Sequence, residues 1–389
     1  MKKVKDNAVL SPINIEKIKG DNMRKLASIQ KIESIRHIEG ADSIVCATIL
    51  GWECVVKKDE FKEGESVIYI EVDSNLPEKE EFEYLRPRKF RIKTIRLRGQ
   101  ISQGLVLPVE LLPKELQKAT IGTDVTETLG IVKYDPQGEK EKRLLDEKAK
   151  NSKSKMVRFL SKYSFFRDIF FKPKREGFPK FISKTDETRI QNIPSIIERE
   201  QGTEFVMTEK LDGQSATYFL IRKGKTLFGK SKYVFGVCSR NFLLTEEDNS
   251  SYWTIARQCN IEKVLRDMIG TNEYVVVQGE ILGEGIQGNK YNIKGYDLYA
   301  FNLIYSGKKV DSREAKEELA QKGIKFVPIL DSNFILNHTV KEMVQMAKGK
   351  TILDVKPKKP VREGFVLRNY QKDISFKVIS PEFLLKNDE

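Results

Sequence analysis

Hydrophobic and polar positions alternate over short stretches in the first third of the chain, lose that order in the middle, and regain it towards the end. Between Arg24 and about Ile131, the segments Ala27–Ile35, Ser43–Leu50, Glu53–Lys57 and Ser66–Val72 read as strands, with Gly40, Gly51 and Gly64 as turn punctuation. Arg91–Leu97 and Gly104–Pro108 add two more. Short strands in so compact a stretch predict a small closed or partly open β-barrel. Residues 1–22 are polar, carry no clear period and read as a loose tail. Gly138–Lys155 is strongly charged and free of turn signals, as expected of a solvated helix or linker. The aromatic and basic stretch Phe159–Phe171 follows; it suits an amphipathic helix docked on a domain surface, or rings that stack on bases. From Phe178 onward, turns and strand-like runs return.

The expected class is therefore α+β, in four parts. These are a tail (1–22), an OB-type barrel that binds nucleic acid (23–134), a charged and aromatic linker (135–182), and a mixed α and β domain (183–389). A length of 389 residues suits about two domains, each able to bury its own core.

Charge narrows the partners. The formal net charge is +13, although 56 acidic residues are present. Such a balance favours a polyanion, because each Lys or Arg set against a phosphate releases a condensed counterion. Arg91, Lys93 and Arg96 or Arg98 recur at near-strand spacing, which places several cations along one face of an edge strand. That face suits phosphates, although charge on an edge also guards against aggregation. Cys46, Cys54, Cys238 and Cys259 form no CxxC pair and the only histidines are His37 and His338, which argues against a structural zinc site and against histidine-based catalysis. No apolar run approaches the roughly 20 residues that a membrane span needs. The Met1-Lys2-Lys3 start lacks an apolar signal core, and a reducing, cytoplasmic setting without a membrane partner is expected.

The chemistry centres on Thr208-Glu-Lys210-Leu-Asp212-Gly213-Gln214, where one strand-like run enters a tight Asp-Gly turn and another leaves it. Lys210 at the lip of that turn can point into a pocket while Gly213 lets backbone approach a nucleotide. Alone, the pattern is weak: it also describes a hairpin turn with an exposed lysine. Its downstream company is more telling. Ser239-Arg240-Asn241 closes one strand, and Tyr274–Gly279 ends in Glu280 before a Gly-rich stretch. Tyr299 and Phe301 alternate on another strand, while Arg362-Glu363-Gly364 and Ser375-Phe-Lys377 close the chain. Strands that each end in a polar residue are what two sheets lining one nucleotide cleft would supply.

From Arg189 to Lys377, this order of motifs resembles the covalent nucleotidyltransferases, the superfamily of polynucleotide ligases and mRNA capping enzymes. A closer resemblance is to RNA ligases that carry an OB domain on the N-terminal side. Leu26-Ala-Ser-Ile, Ile38-Glu-Gly-Ala-Asp, Gly99-Gln-Ile-Ser-Gln-Gly, Lys184–Asn192 and Gln278–Asn289 look like that group. The resemblance implies an ATP-grasp-like ligase domain of two antiparallel sheets with flanking helices. It also implies ATP and a divalent ion, Mg2+ or Mn2+, as cofactors. Lys210 would take AMP covalently and pass it to a 5′-phosphate, after which a 3′-hydroxyl displaces it to repair broken RNA. The substrate would be a nicked duplex with an RNA 3′-hydroxyl end, bound by a monomer.

The same resemblance implies residue roles. Glu363 would engage the metal, and Glu280 would accept from ribose hydroxyls or bind the metal through water. Phe301, or failing it Tyr299, would stack on adenine. Arg189, Arg240 and Asn241 would line the nucleotide with Gly213, Lys377 would face phosphate, and Asp212 would orient Lys210. Related ligases often carry Lys-x-Lys in the last motif. Ser375 stands at the first of those positions here, so either Lys377 suffices or Lys372 reaches in. A capping guanylyltransferase or a DNA ligase shares the lysine chemistry but more usually places its OB domain after it. An inactive nucleic-acid-binding module is the alternative from outside enzymes.

Overall fold

The computed structural model describes residues 25–135, 176–225, 231–246 and 250–387, with isolated positions between 147 and 159. The expected tail and nearly all of the Phe159–Phe171 stripe lie outside these residues. The chain forms two compact units. The first takes residues up to Lys31, Glu65–Ile92 and Leu105–Tyr134; the second takes Ile32–Gly64, Lys93–Gly104 and the chain from Asp135 onward.

In the first unit, Ser66–Ile70 is the middle strand of an antiparallel sheet between Ala27–Lys31 and Leu105–Pro108. Val67, Ile68, Tyr69 and Ile70 are all fully buried, as a continuous apolar run requires when both faces are covered. The Thr126 hydroxyl accepts from the backbone N–H groups of Leu26 and Ala27.

The second unit opens with Ser34–Ile38, Ala41–Ile49 and Trp52–Lys57, a three-stranded antiparallel sheet. The Thr94–Leu97 and Gln100–Gln103 hairpin joins it through Ser102, whose hydroxyl accepts from the Val55 N–H at 2.9 Å. Two expected strands change here. Ala27–Ile35 breaks at Ile32, whose carbonyl is taken by the Gly64 N–H, and Arg91–Leu97 becomes a strand only from Thr94.

Two larger sheets follow. The five-stranded one runs in the order Thr188–Arg189, Ile374–Ile379, Gly364–Asn369, Glu204–Lys210, Ile329–Ile335. The eight-stranded one is built around Gln214–Lys225, Tyr274–Gly283 and Tyr296–Tyr305. Pairing is antiparallel as expected, apart from the short parallel contacts of Thr188–Arg189 with Ile374–Ile379 and of Lys325–Phe326 with Tyr296–Tyr305.

Period-two alternation decides what each sheet face carries. Phe205, Met207, Phe365, Leu367, Phe376 and Val378 pack together on one face of the five-stranded sheet, with Met343 and Ala347 at the Val340–Met346 helix. The intervening positions put Lys210, Thr208, Arg368, Ser375, Lys377 and Arg189 on the other face. In the eight-stranded sheet, Ala216, Tyr218, Val275, Val277 and Leu303 face helices Ser251–Gln258, Ile261–Met268 and Ser312–Gln321. Those helices cover the sheet because their apolar residues recur at helical spacing, as at Ile261, Leu265 and Met268. The opposite face carries a buried polar row, Thr217, Gln278 and Asn302, joined by the Asn302 amide donating to Gln278 Oε1 at 2.9 Å. Along the same face, Phe219, Val276 and Ile304 pack with Ile182 and Cys238 in a separate apolar cluster. Among the described residues, no helix is long and apolar enough to cross a membrane.

Phe376 is fully buried edge-to-face against Phe205, with ring centroids 5.6 Å apart. Phe376→Ala should cost about 3–5 kcal/mol, read from chemical denaturation midpoints; a loss under about 1 kcal/mol would contradict this packing.

Candidate active site

Lys210 is the last residue of a strand in the five-stranded sheet, and Gln214 is the first of a strand in the eight-stranded sheet. Leu211-Asp212-Gly213 therefore crosses between sheets, and the hairpin that the sequence allowed is excluded. Three anchors hold the crossing. The Leu211 side chain is buried with Leu282, Tyr291, Val327 and Leu353. The Asp212 N–H donates to the Tyr291 hydroxyl at 3.0 Å, and the Gly213 N–H donates to Glu280 Oε1 at 3.1 Å. A Cβ on Gly213 would lie 2.4 Å from the Ile281 carbonyl oxygen and 2.5 Å from the Leu282 side chain. Glycine is needed here so that the crossing can press against the Tyr274–Gly283 strand.

Strand register brings the charged groups together. Lys210 pairs with Gly364, so the preceding residue, Glu363, reaches the Lys210 Nζ at 2.8 Å. Glu280 sits on the rung between Ser215 and Tyr299. Asp212 forms an ion pair with Lys290, whose ammonium also lies 4.6 Å from the Phe383 ring centre. Burial lowers the Lys210 pKa, but the charges of Glu363, Glu280 and Asp212 outweigh it and hold the amine as ammonium above its usual range. Burial raises both carboxyls: Glu280 is pushed up to about 8, and Glu363 rises despite Lys210 beside it. Burial, reinforced by Lys210 and Arg189, brings Lys377 down to about 7. The two lysines are thus tuned in opposite directions, Lys210 by anions and Lys377 by desolvation and like charge.

The place occupied by Ser375 has its own cation. Ser375 is opposite Arg368 on the neighbouring strand, and Glu187 joins them by accepting from the Ser375 hydroxyl at 2.5 Å and from the Arg368 guanidinium at 3.4 Å. Arg368 is buried, donates to the Thr208 hydroxyl at 2.8 Å and lies 5.6 Å from the Phe301 ring centre. Lys372 does not reach in. Its ammonium is held by Glu200 at 2.8 Å and by Thr203 at 2.9 Å.

The other expected residues divide. Phe301 and Tyr299 both pack on the cluster around Leu211, and the irregular register between Gln278 and Gly279 places Phe301 at a bulge. Arg189 pairs in register with Lys377, its guanidinium 6.0 Å from the Trp52 ring centre. Arg240 forms an ion pair with Asp186, whose charge also reaches Lys377, while the Asn241 side chain accepts from Lys184 at 3.1 Å. Arg91 belongs to the first unit, bound to Asp73 at 2.9 Å with Tyr134 stacked 3.8 Å away. Lys93 and Arg96 belong to the second unit, and Arg98 stands in the hairpin turn with positive φ. Arg91 therefore leaves the expected row of cations, because a non-local carboxylate claims it. Lys290, Arg368 and Glu187 went unnoticed in the sequence. Arg368 could have been found, since it lies four residues after Gly364 and so on the same strand face as the lysine pair.

Residues 203–379 match the RNA ligase family, and residues 26–109 match an OB-fold domain. No curated protein sequence matches the chain. Solved structures of an RNA ligase from Naegleria gruberi are similar throughout. A substituted apo form is 33% identical with a TM-score of 0.73, covering 94% of this chain and 98% of its own. This chain belongs to the RNA ligase family. A second form of that Naegleria ligase, with ATP and Mn, is 34% identical over 94% of this chain and 100% of its own, with the same TM-score of 0.73. A third, with AMP and Mn, is 34% identical over 94% and 99%, again at 0.73. The ligase accordingly has an N-terminal OB-fold domain followed by the sheet-rich ligase domain, which sets aside the capping-enzyme reading.

Gly213→Ala should destabilise the ligase by about 1–3 kcal/mol, because backbone of a neighbouring strand cannot yield as a side chain tip would. Thermal unfolding measures this, and an unchanged midpoint would contradict the close approach.

Proposed function

We propose that the ligase seals nicks with 3′-hydroxyl and 5′-phosphate ends through a lysyl-AMP intermediate, using ATP and a divalent ion, in RNA repair. The supporting observation is Lys210 at the crossing between sheets, 2.8 Å from Glu363, with Glu280 and Asp212 close enough to raise its pKa. The Lys210 amine, once deprotonated, attacks the α-phosphorus of ATP; the N–P bond forms as the α–β bridging P–O bond breaks, and pyrophosphate leaves. A 5′-phosphate oxygen then displaces the lysine and takes the AMP. Finally the 3′-hydroxyl attacks that 5′-phosphate, AMP departs, and a phosphodiester remains.

The residues support these steps in distinct ways. Lys377 and Arg189 share a rung on the sheet face that carries Lys210 and meet the phosphates, where positive charge stabilises the negative charge that develops. Arg240 serves the same charge from further out, through Asp186, and Asn241 stands beside it. Phe301 offers a ring for adenine, backed by Arg368. Asp212, tied to Lys290, fixes the turn that aims Lys210.

The donors fit a hard ion. Glu363 and Glu280 offer only oxygen, and among the described residues no three His, Cys, Asp or Glu side chains form a ready-made metal site. One or two carboxylates completed by substrate phosphates is how Mg2+ is usually held. When bound, the ion supplies positive charge that stabilises the phosphates and disfavours the ammonium form of Lys210. The free, buried thiols Cys46, Cys54 and Cys238 support a reducing, cytoplasmic setting.

Purified ligase incubated with ATP and Mg2+ or Mn2+ should gain one AMP on Lys210 by mass spectrometry, and Lys210→Ala should gain none. An adduct that persists in Lys210→Ala, or never forms in the unaltered chain, overturns the reading. Lys377 adds a pH signature. Its pKa is lowered to about 7, so its charge is present below that value and lost as pH rises through it. Affinity for an α,β-methylene analogue of ATP, which cannot release pyrophosphate, in the chain with Lys210 intact should therefore fall from pH 6 to pH 8.5 relative to a Lys377→Arg form, whose guanidinium stays charged. Parallel pH profiles for the two would exclude Lys377 from phosphate binding.

A further inference from the structure

The C-terminal helix Pro381–Asn387 packs against the Thr94–Leu97 strand, and a groove of about 610 Å3 opens beside them. Lys93 and Arg96 line it from the strand side, Glu382 and Lys386 from the helix, and Val361 joins them. Three cations thus face one carboxylate. Val361 is two residues before Glu363, and its backbone bridges to Lys350. The groove accordingly borders the segment that supplies the partner of Lys210.

That segment, from Lys348 to Arg362, carries Lys348, Lys350, Lys356, Lys358, Lys359 and Arg362 against a single acid, Asp354. Two of its anchors lead towards the catalytic lysine. The Ile352 N–H donates at 2.9 Å to Glu209, the chain neighbour of Lys210. Asn292 donates at 2.8 Å to the Lys356 carbonyl, two residues after the Lys290 that pairs with Asp212. Arg362 is occupied with the carbonyls of Met346 and Lys348, both at 2.9 Å, and so holds the loop rather than offering charge. Lys350, Lys356, Lys358 and Lys359 remain exposed on a rim fixed at three points. A solvated charge run has no need of such anchoring.

We infer that this rim and the Lys93–Arg96–Lys386 groove together form a track for the phosphodiester backbone of the duplex beside the nick, which brings the strand end to Lys210. The inference rests on the ligase reading above, and adds to it a surface contributed by the ligase domain and the C-terminal helix. Contacts of this kind position backbone and read little sequence.

The test uses the full chain and a nicked duplex with an RNA 3′-hydroxyl end. One variant carries Lys350→Glu, Lys358→Glu and Lys359→Glu; a charge-matched control carries Lys263→Glu, Lys316→Glu and Lys322→Glu on exposed helix positions and helix ends elsewhere in the same unit. Lysyl-AMP formation from ATP alone, which needs no nucleic acid, reports the nucleotide site and the fold in each preparation. The rim variant should form the adduct yet bind the duplex about tenfold or more weakly, with a log–log salt slope shallower by about 2 to 3. The control should shift binding far less. Adduct formation with affinity and slope like the control overturns the track. If the triple variant forms no adduct, Lys358→Ala and Lys386→Ala singly are judged by the same comparison, where a slope shallower by about 1 is expected and an unchanged slope overturns it. Absence of adduct in the unaltered chain instead sinks the ligase mechanism, so the two failures are distinct.

Discussion

Three residues carry the chain from one sheet to the other, and the site depends on how tightly they do so. Leu211 is pinned in an apolar cluster, Asp212 between Tyr291 and Lys290, and Gly213 against backbone of the next strand. That crossing fixes the end of the lysine strand against one sheet while the start of the next strand is locked to Glu280 in the other. Charges drawn from separate strands therefore converge on one amine without any flexible linker between them. In such a setting a group needs no reorganisation when the reaction develops charge nearby.

The electrostatics follow from that placement. Carboxylates from three elements surround Lys210, and burial makes each of them felt. Lys377, also buried but facing other cations, is left with a weakened hold on its proton. Ser375 does not leave a hole in the charge distribution, because Arg368 on the adjoining strand occupies the same rung and Glu187 ties the pair together.

Much of this was legible beforehand, for a reason that is local. Lys210, Glu280, Phe301, Glu363 and Lys377 stand at strand ends or on alternating positions, and alternation survives folding. The inter-sheet crossing was not legible, since a tight turn reads the same whether it closes a hairpin or joins two sheets. Nor was the fate of Arg91 or Lys372, because Asp73 and Glu200 claim them from distant parts of the chain. The division of Ala27–Ile35 into two strands likewise depends on a non-local bond, from Gly64 to Ile32.

The rung shared by Lys210 and Gly364 has a consequence for how the chain can change over time. Polar positions on that sheet face alternate with apolar ones on the other, Thr208 with Met207, Arg368 with Leu367 and Lys377 with Phe376, so parity along the strands is a discrete quantity. Gain or loss of a single residue inside Glu204–Lys210 or Gly364–Asn369 would exchange the two sets at once, driving ammonium groups into the core and aromatic rings into the cleft. No neighbouring substitution could compensate. Length can therefore vary in the connections between these strands, whereas the strands themselves can change only letter by letter.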